Sequence, residues 1–420
     1  MGFASSWLGE RALFTKLINE APDTQTEIIA VIPAFDEPEI TLLLDSLASC
    51  TIPGCSTEVI IIVNAPEGAE KESLDNNLKC LAGIDTWKKE NPDCFFRIHS
   101  VDLTPRIHGE WSVGMARKTG MDEAVRRFDF LNKPDGIILS LDADCRVETN
   151  YFSSVYEEML GRPDRKACSI YYEHPVMGDD FPERVYKAII LYELHLRYYF
   201  QALLFTGFPH VHHTIGSAIA VKALHYVKSG GMNRKKAGED FYFIQKMVPA
   251  GGFFNLYGTT VFPSPRSSSR VPFGTGVTVA KLAESEDPVF NTYNMQAFRE
   301  LKTLFSLVEL LHSSRPENLN SLYGQLPPGL RSFIDLSEWM EKLTEISNNT
   351  SGLASFRKRF FIWFNMFRIV KYLNSVHISM FEKMPVRESV SELLTETGMH
   401  PESDDALALL YHLRKMERSN

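Results

Sequence analysis

The patterned part of the chain begins with an apolar, isoleucine-rich run, Glu27 to Phe35 (EIIAVIPAF). Its length and β-branched content predict a strand buried on both faces. Helical spacing follows over Ile40 to Cys50, then a second β-branched strand over Glu58 to Pro66 (EVIIIVNAP). Glu67 to Lys89 is polar with helical spacing, Phe95 to Leu103 reads as a third strand, and Ser112 to Phe128 as a helix. Gly136 to Leu141 is a fourth strand behind the breaker pair Pro134-Asp135. This alternation predicts a mostly parallel sheet covered on both faces by helices.

The pattern changes after Asn150. Tyr151 to Leu160 reads as a helix, Ala167 to Tyr172 as a strand, Glu183 to Leu204 as a long aromatic helix, and Gly216 to Val221 as a short strand. Glu239 opens another helix, and Phe253 to Gly258 (FFNLYG) is a strand near the end of the sheet. From about Ser285 to Asn420 strand signals stop and glycine nearly vanishes, with Pro316, Pro327-Pro328, Pro385 and Pro401 as punctuation between helices. The expected organisation is an α/β domain over 1–284 and an all-helical extension over 285–420, which suits a chain of 420 residues.

Charge narrows the partners. A net charge of −9 leaves no dominant basic face for nucleic acid. It leaves room for an anionic substrate, because a bound cation can neutralise phosphate locally. Six cysteines with no C-x-x-C pair suggest free thiols in a reducing cytoplasm. The N-terminal stretch lacks the uninterrupted apolar core of a signal peptide. The apolar-aromatic stretch Ala188 to Phe208 carries Glu193, His195 and Arg197, and Phe360 to Phe381 carries Arg368, Lys371 and His377, so no transmembrane segment is expected.

Candidate chemistry starts at the fourth strand, where GIILSLDADCRV places Asp142 and Asp144 two residues apart. Residues i and i+2 of a strand face one way, and two such carboxylates repel unless a cation or donor lies between them. A divalent metal holding a diphosphate meets that need; the plainer reading is a strand-to-loop turn, where aspartate is common. Ligands of parallel sheets bind beyond the carboxyl ends of the strands. Pro33-Ala34-Phe35, Asn64-Ala65-Pro66 and Asp142-Ala143-Asp144 all fall at such ends.

Four motifs occur in order: VIPAFDEPE, GEWSVGMARKTGMDEA, SLDADC, and IGSAIAVKALHYVKSGGMNRKKAGEDFYFIQKM. Over roughly Glu27 to Pro263 this order resembles glycosyltransferase family 2, enzymes with the GT-A (Rossmann-like) nucleotide-sugar fold. The resemblance implies a metal-dependent, inverting transfer of a sugar, hexosyl in type, from a nucleoside diphosphate donor to an acceptor hydroxyl, with Mn²⁺ or Mg²⁺ as cofactor. It places Pro33, Phe35 and Glu37 beside the nucleotide base and ribose. Asn64 stands where the family usually has a base-binding Asp, and Arg117 (A-R-K-T-G) matches a phosphate-pairing arginine, with Lys118 in place of the usual Asn. Asp142 is expected to face the ribose and metal waters, and Asp144 to ligate the metal. Glu239-Asp240 resembles the acceptor-side acidic pair, with Asp240 the first candidate for the base and Glu239 the second. A helix-capping role suits the same pair.

Two further features stand apart. His210, His212 and His213 lie in GFPHVHHTIGS as possible metal ligands or an acceptor-pocket wall. Arg266 and Arg270 lie in a loop, PSPRSSSRVPFGTG, with anion-binding capacity. A non-catalytic GT-A-fold binding or scaffold protein is the alternative reading. Nucleotidyl transfer to a sugar phosphate is another, although PAFDEPE lacks the glycine- and lysine-rich phosphate loop it needs. The helical region offers a surface for a homodimer. The acceptor and the donor sugar are unknown.

Overall fold

The structure is a computed structural model that describes residues 2–107, 109, 111–235, 238–268, 274–400 and 403–419. The chain forms two compact units, Met1–Gly178 with His212–Val277, and Asp179–Val211 with Thr278–Asn420.

The first unit is an eight-stranded sheet with helices on its faces. Its strands are β1 (Thr26–Ala34), β2 (Ser56–Val63), β3 (Phe96–Asp102), β4 (Ile137–Ser140), β5 (Arg146–Val147), β6 (Ala167–Tyr172), β7 (Ile219–Lys222) and β8 (Phe253–Phe262). Helices of this stretch are α1 (Ser5–Arg11), α2 (Ile40–Ala48), α3 (Lys71–Glu90), α4 (Val113–Leu131), α5 (Tyr151–Leu160), α6 (Glu183–Phe205, in the second unit), α7 (Ala223–Lys228) and α8 (Glu239–Met247). The sheet order is β3-β2-β1-β4-β7-β6-β8-β5. β1 pairs in parallel with β2 and β4, and β2 with β3, whereas β7 runs antiparallel to both β4 and β6. The expected α/β class, a mostly parallel sheet flanked by helices with a helical C-terminal region, is the one observed.

This order sets the position of the site. The chain lays down β1, β2 and β3 toward one edge and then returns to place β4 on the other side of β1. The strand order therefore reverses between β1 and β4, which opens a crevice at their carboxyl ends. Because β7 is antiparallel, its entry lies at the exit of β4: Ser140 pairs with Ile219. The loop before β7 thus reaches the same crevice.

Patterning missed α1, α7 and the two-residue β5. The reason for the first lies in α4, which is buried on nearly every side, charged residues included. The N-terminal segment covers the face that α4 turns away from the sheet. Leu17 N and Ile18 N donate to Glu123, at 3.2 and 3.1 Å, and Ala4 N donates to Asp129. Lys118 Nζ bonds Asp122 at 2.7 Å and lies 5.2 Å from the centre of the Trp7 ring. Lys118 is thereby committed to packing within this layer.

Among its described residues, the second unit is helical apart from a two-residue antiparallel pairing of Met384–Pro385 with Asn291–Thr292. The charges inside the α6 sequence find buried partners here. Glu193 accepts from Arg197 Nε at 2.7 Å and from Arg414 Nε and Nη2, each at 2.8 Å, and Arg197 Nη1 donates to Glu417 at 2.6 Å. No helix among the described residues is long and apolar enough to cross a membrane.

On the sheet side, α4 approaches so closely that a Cβ on Gly120 would come within 2.4 Å of Val31 Cγ1 and 3.1 Å of Ile62 Cγ1. Gly120→Ala is expected to destabilise the protein by about 1–3 kcal/mol through overpacking, measured as a lower denaturant midpoint. Gly9→Ala, where no atom lies within 4 Å of the new methyl group, is expected to change that midpoint little and serves as the reference.

Candidate active site

The β1 side of the crevice is a turn locked from behind by α3. β1 ends at Ala34, and Asp36 takes a left-handed conformation, φ 60°, which aspartate tolerates better than most residues. Asn77, buried on α3, accepts from Asp36 N at 3.0 Å and donates to the Asn64 carbonyl at 2.8 Å. Asn76 Nδ2 donates to the Asp36 carboxylate at 2.7 Å. Asn64 is itself buried, and its Nδ2 donates to the carbonyls of Ala34, at 2.9 Å, and Ile62, at 3.1 Å. The Asn64 amide nitrogen therefore ties the ends of β1 and β2 together. Pro33 and Glu37 are buried in this turn and Phe35 is half-buried.

On the other side, β4 stops at Ser140, and Asp142 to Asp144 form a turn closed by Cys145 N donating to the Asp142 carbonyl at 3.2 Å. The two carboxylates take different guanidinium partners. Asp142 Oδ1 accepts from Arg117 Nη2 at 2.8 Å, with the Asp142 side chain 37% exposed. Asp144 Oδ2 lies 2.7 Å from Arg266 Nε, an ion pair without hydrogen-bond alignment, with the Asp144 side chain 24% exposed.

Arg117 is the junction of the site. α4 begins at the carboxyl edge of the sheet, capped by the Ser112 hydroxyl, so its second turn lies over the crevice. Arg117 is buried, and each donor points inward: Nη1 to Ser140 Oγ at 2.6 Å and to the Gly216 carbonyl at 2.9 Å, Nη2 to Asp142, and Nε to Glu239 Oε1 at 3.3 Å. Burial alone would lower its basicity, but Asp142 and Glu239 outweigh that and hold the guanidinium charged more firmly than usual. Its contacts are to two carboxylates, a hydroxyl and a carbonyl, and these bonds use the fork that a phosphate would need.

Glu239 and Asp240 open α8 behind Gly238, which sits in the left-handed region at φ 71°. Glu239 is buried and bound to Arg117, whereas Asp240 is half-buried. Burial, then the neighbouring Glu239 charge, pushes the Asp240 carboxyl up to about 7; a hydrogen bond from Phe241 N and the Arg117 charge only partly oppose this. Gly216 makes this arrangement possible: a Cβ there would lie 2.9 Å from Arg117 Nη2 and 3.3 Å from Asp240 Oδ2. Arg117, Asp142, Glu239 and Asp240 thus gather around one small residue at the entry to β7.

Arg266 spans the crevice. Its Nη1 donates to Glu37 Oε2 at 2.8 Å and its Nη2 donates to Glu37 Oε1, while Nε faces Asp144. Arg270 lies outside the described residues. Of the three histidines, His210 belongs to the second unit. His212 bonds Asn255 Oδ1 at 2.9 Å and packs on Phe253, and His213 stands edge-on to Tyr172 at 5.0 Å. Among the described residues no three His, Cys, Asp or Glu side chains converge in a group able to hold a metal. That does not disqualify the aspartate turn, because Mg²⁺-type sites commonly use one or two carboxylates and draw their other oxygens from substrate phosphates and water. Hard oxygen donors that already face a cation, as Asp144 faces Arg266, fit such an ion.

Sequence patterning missed Asn76, Asn77, Ser140 and Gly216. Asn77 had a readable signal: it shares the buried stripe of α3 with Cys80, Ile84 and Trp87, where a polar side chain must be bonded. Asn77→Ala is expected to leave Asp36 N without its acceptor, at a cost of about 1–3 kcal/mol. Faster amide exchange at Asp36 together with a lower unfolding midpoint would record it.

No family model matches the chain, and a search of curated proteins returns no match. Among solved structures, TarS from S. aureus in complex with UDP-GlcNAc is similar at 13% identity over 94% of this chain and 89% of that one, with a TM-score of 0.38. The mannosyltransferase PcManGT from Pyrobaculum calidifontis, in complex with GDP-Man and Mn²⁺, is similar at 11% identity over 99% and 92%, with a TM-score of 0.36. The glucosyl-3-phosphoglycerate synthase of M. tuberculosis is similar at 14% identity over 62% and 78%, with a TM-score of 0.34. Identities and TM-scores are low for all three.

Proposed function

We propose that the chain is a metal-dependent glycosyltransferase that moves a sugar from a nucleoside diphosphate to an acceptor hydroxyl with inversion. The observation that carries this reading is the meeting, at the β1/β4 crevice, of the Asp142–Asp144 turn with the half-buried Asp240 carboxyl through Arg117. A donor-binding turn and a base of raised pKa at one sheet edge are what sugar transfer to a hydroxyl requires.

The base and ribose go to the locked turn, with Pro33, Phe35 and Glu37 beside them and Asn64 Oδ1 as an acceptor for a base N–H. Asp142 and Asp144 would hold a divalent ion, Mn²⁺ or Mg²⁺, which supplies positive charge against the leaving diphosphate. Asp240 takes the proton of the acceptor hydroxyl as that oxygen bonds to the anomeric carbon. The bond from that carbon to the diphosphate oxygen breaks, and its electron pair leaves with the diphosphate. Glu239 has a different part: bound to Arg117, it positions the guanidinium and, by its charge, raises the affinity of Asp240 for a proton. A base whose pKa lies near the working pH combines availability with driving force. Cytoplasmic placement belongs to the same proposal and is supported by six unpaired thiols.

Calorimetry with a panel of UDP- and GDP-sugars plus Mn²⁺ tests the reading. Binding of at least one sugar nucleotide is expected, together with its loss by a factor of about ten or more in Asp144→Ala. Well-folded protein that binds none of them would refute it.

The pH profile tests Asp240. The base must be ionised, so kcat/KM should rise with pH through about 7 and level off above, and Asp240→Asn should abolish turnover while retaining donor binding. Stability runs the other way. The folded-state value lies above the ordinary 3.8, so folding is favoured by protonation, and this contribution is lost as pH rises from 3.8 to about 7. Asp240→Asn should flatten the fall of unfolding midpoint over that window.

A further inference from the structure

Among the described residues, the Arg266 side chain is bonded through acids. Its guanidinium joins Glu37, from the turn after β1, to Asp144, from the turn after β4. It is 26% exposed, and the carboxylates it bridges are 10% and 24% exposed. Arg117, by contrast, is buried and also bonded to a hydroxyl and a carbonyl, so it stays with the protein when the site fills. Arg266 lies four residues beyond the end of β8, on a segment that belongs to neither β4 nor α4.

We propose that Arg266 holds the place of the divalent ion at Asp144 until a nucleoside diphosphate arrives, so that the site takes ion and diphosphate as a pair. This rests on the reading of the crevice as a metal–diphosphate site. A bare divalent ion entering at Asp144 competes with Arg266 for the same carboxylate oxygens. It repels the guanidinium and offers it no new anion. A nucleoside diphosphate supplies that anion: the planar fork that fits Glu37 fits two phosphate oxygens equally well. The exchange then conserves charge pairing, since Asp144 passes from guanidinium to ion and Arg266 passes from carboxylate to phosphate. Linkage requires reciprocity: the factor by which diphosphate tightens ion binding equals the factor by which the ion tightens diphosphate binding.

The test needs no turnover. Free Mn²⁺ is followed by electron paramagnetic resonance during titration of the full chain, alone and with UDP or GDP. Wild type, Arg266→Gln and Arg266→Lys are compared, with circular dichroism confirming the fold of each. Wild type should bind Mn²⁺ weakly alone and about tenfold more tightly with diphosphate. Arg266→Gln should bind Mn²⁺ alone roughly fivefold more tightly than wild type, a modest factor because the ion pairs are partly solvated. It should also show a smaller enhancement by diphosphate, the remainder coming from phosphate oxygens that bind the ion directly. Arg266→Lys keeps a cation at Asp144 and should retain weak binding of the ion alone. Equal Mn²⁺ affinity in wild type and Arg266→Gln, with the same enhancement in both, would overturn the inference and leave the proposed function standing. Folded protein that binds neither Mn²⁺ nor diphosphate would overturn both.

Discussion

The buried Arg117 guanidinium is the interaction on which the rest of the crevice depends. It joins a residue of α4 to the turn after β4, the loop before β7 and the first turn of α8. A charge in that position is tolerable only because two carboxylates and two further oxygens surround it. Each of those groups is in turn oriented by it. The aspartate turn and the acidic pair are thus coupled parts of one charge cluster, and the absence of a side chain at Gly216 is what lets them close around the guanidinium.

The same rule, that buried charge must be paired, shapes both units. In the first, Arg127 bonds Glu58 of β2, and Asp122 receives both Lys118 and the Tyr226 hydroxyl. In the second, Glu193, Arg197, Arg414 and Glu417 tie α6 to the helix Ala406–Arg418. Such networks contribute less to stability than their Coulomb attraction suggests, because desolvation offsets much of it. They do restrict which helix can sit where, since any other register would leave a charge buried alone.

How much of this was legible along the chain differs residue by residue. The strand ends at Pro33, Asn64 and Ser140 follow from hydrophobic runs, which are local, and the topology brings them to one edge. The spacing of Asp142 and Asp144 does not reveal that one pairs with Arg117 and the other with Arg266, because β4 is only four residues long and the chain turns beyond it. Lys118, which stands in sequence only as a departure from the usual Asn, is buried under the N-terminal segment. Periodicity cannot reveal that a second layer of chain covers a helix's outer face.

The order of apolar runs and breakers by itself determined the alternation of strands and helices, the mostly parallel character of the sheet and the edge at which Pro33, Asn64 and Ser140 end their strands. These depend on side-chain spacing over a few residues, which the chain carries wherever it folds. Only the tertiary structure decided which cation each carboxylate faces: Arg117 for Asp142 and Glu239, Arg266 for Asp144 and Glu37. The Arg117–Glu239 partners lie 122 residues apart and the Arg266–Glu37 partners 229 apart. Ion pairing at such separations is set by distance in space and by the water excluded around the pair, and neither quantity exists until the sheet has formed.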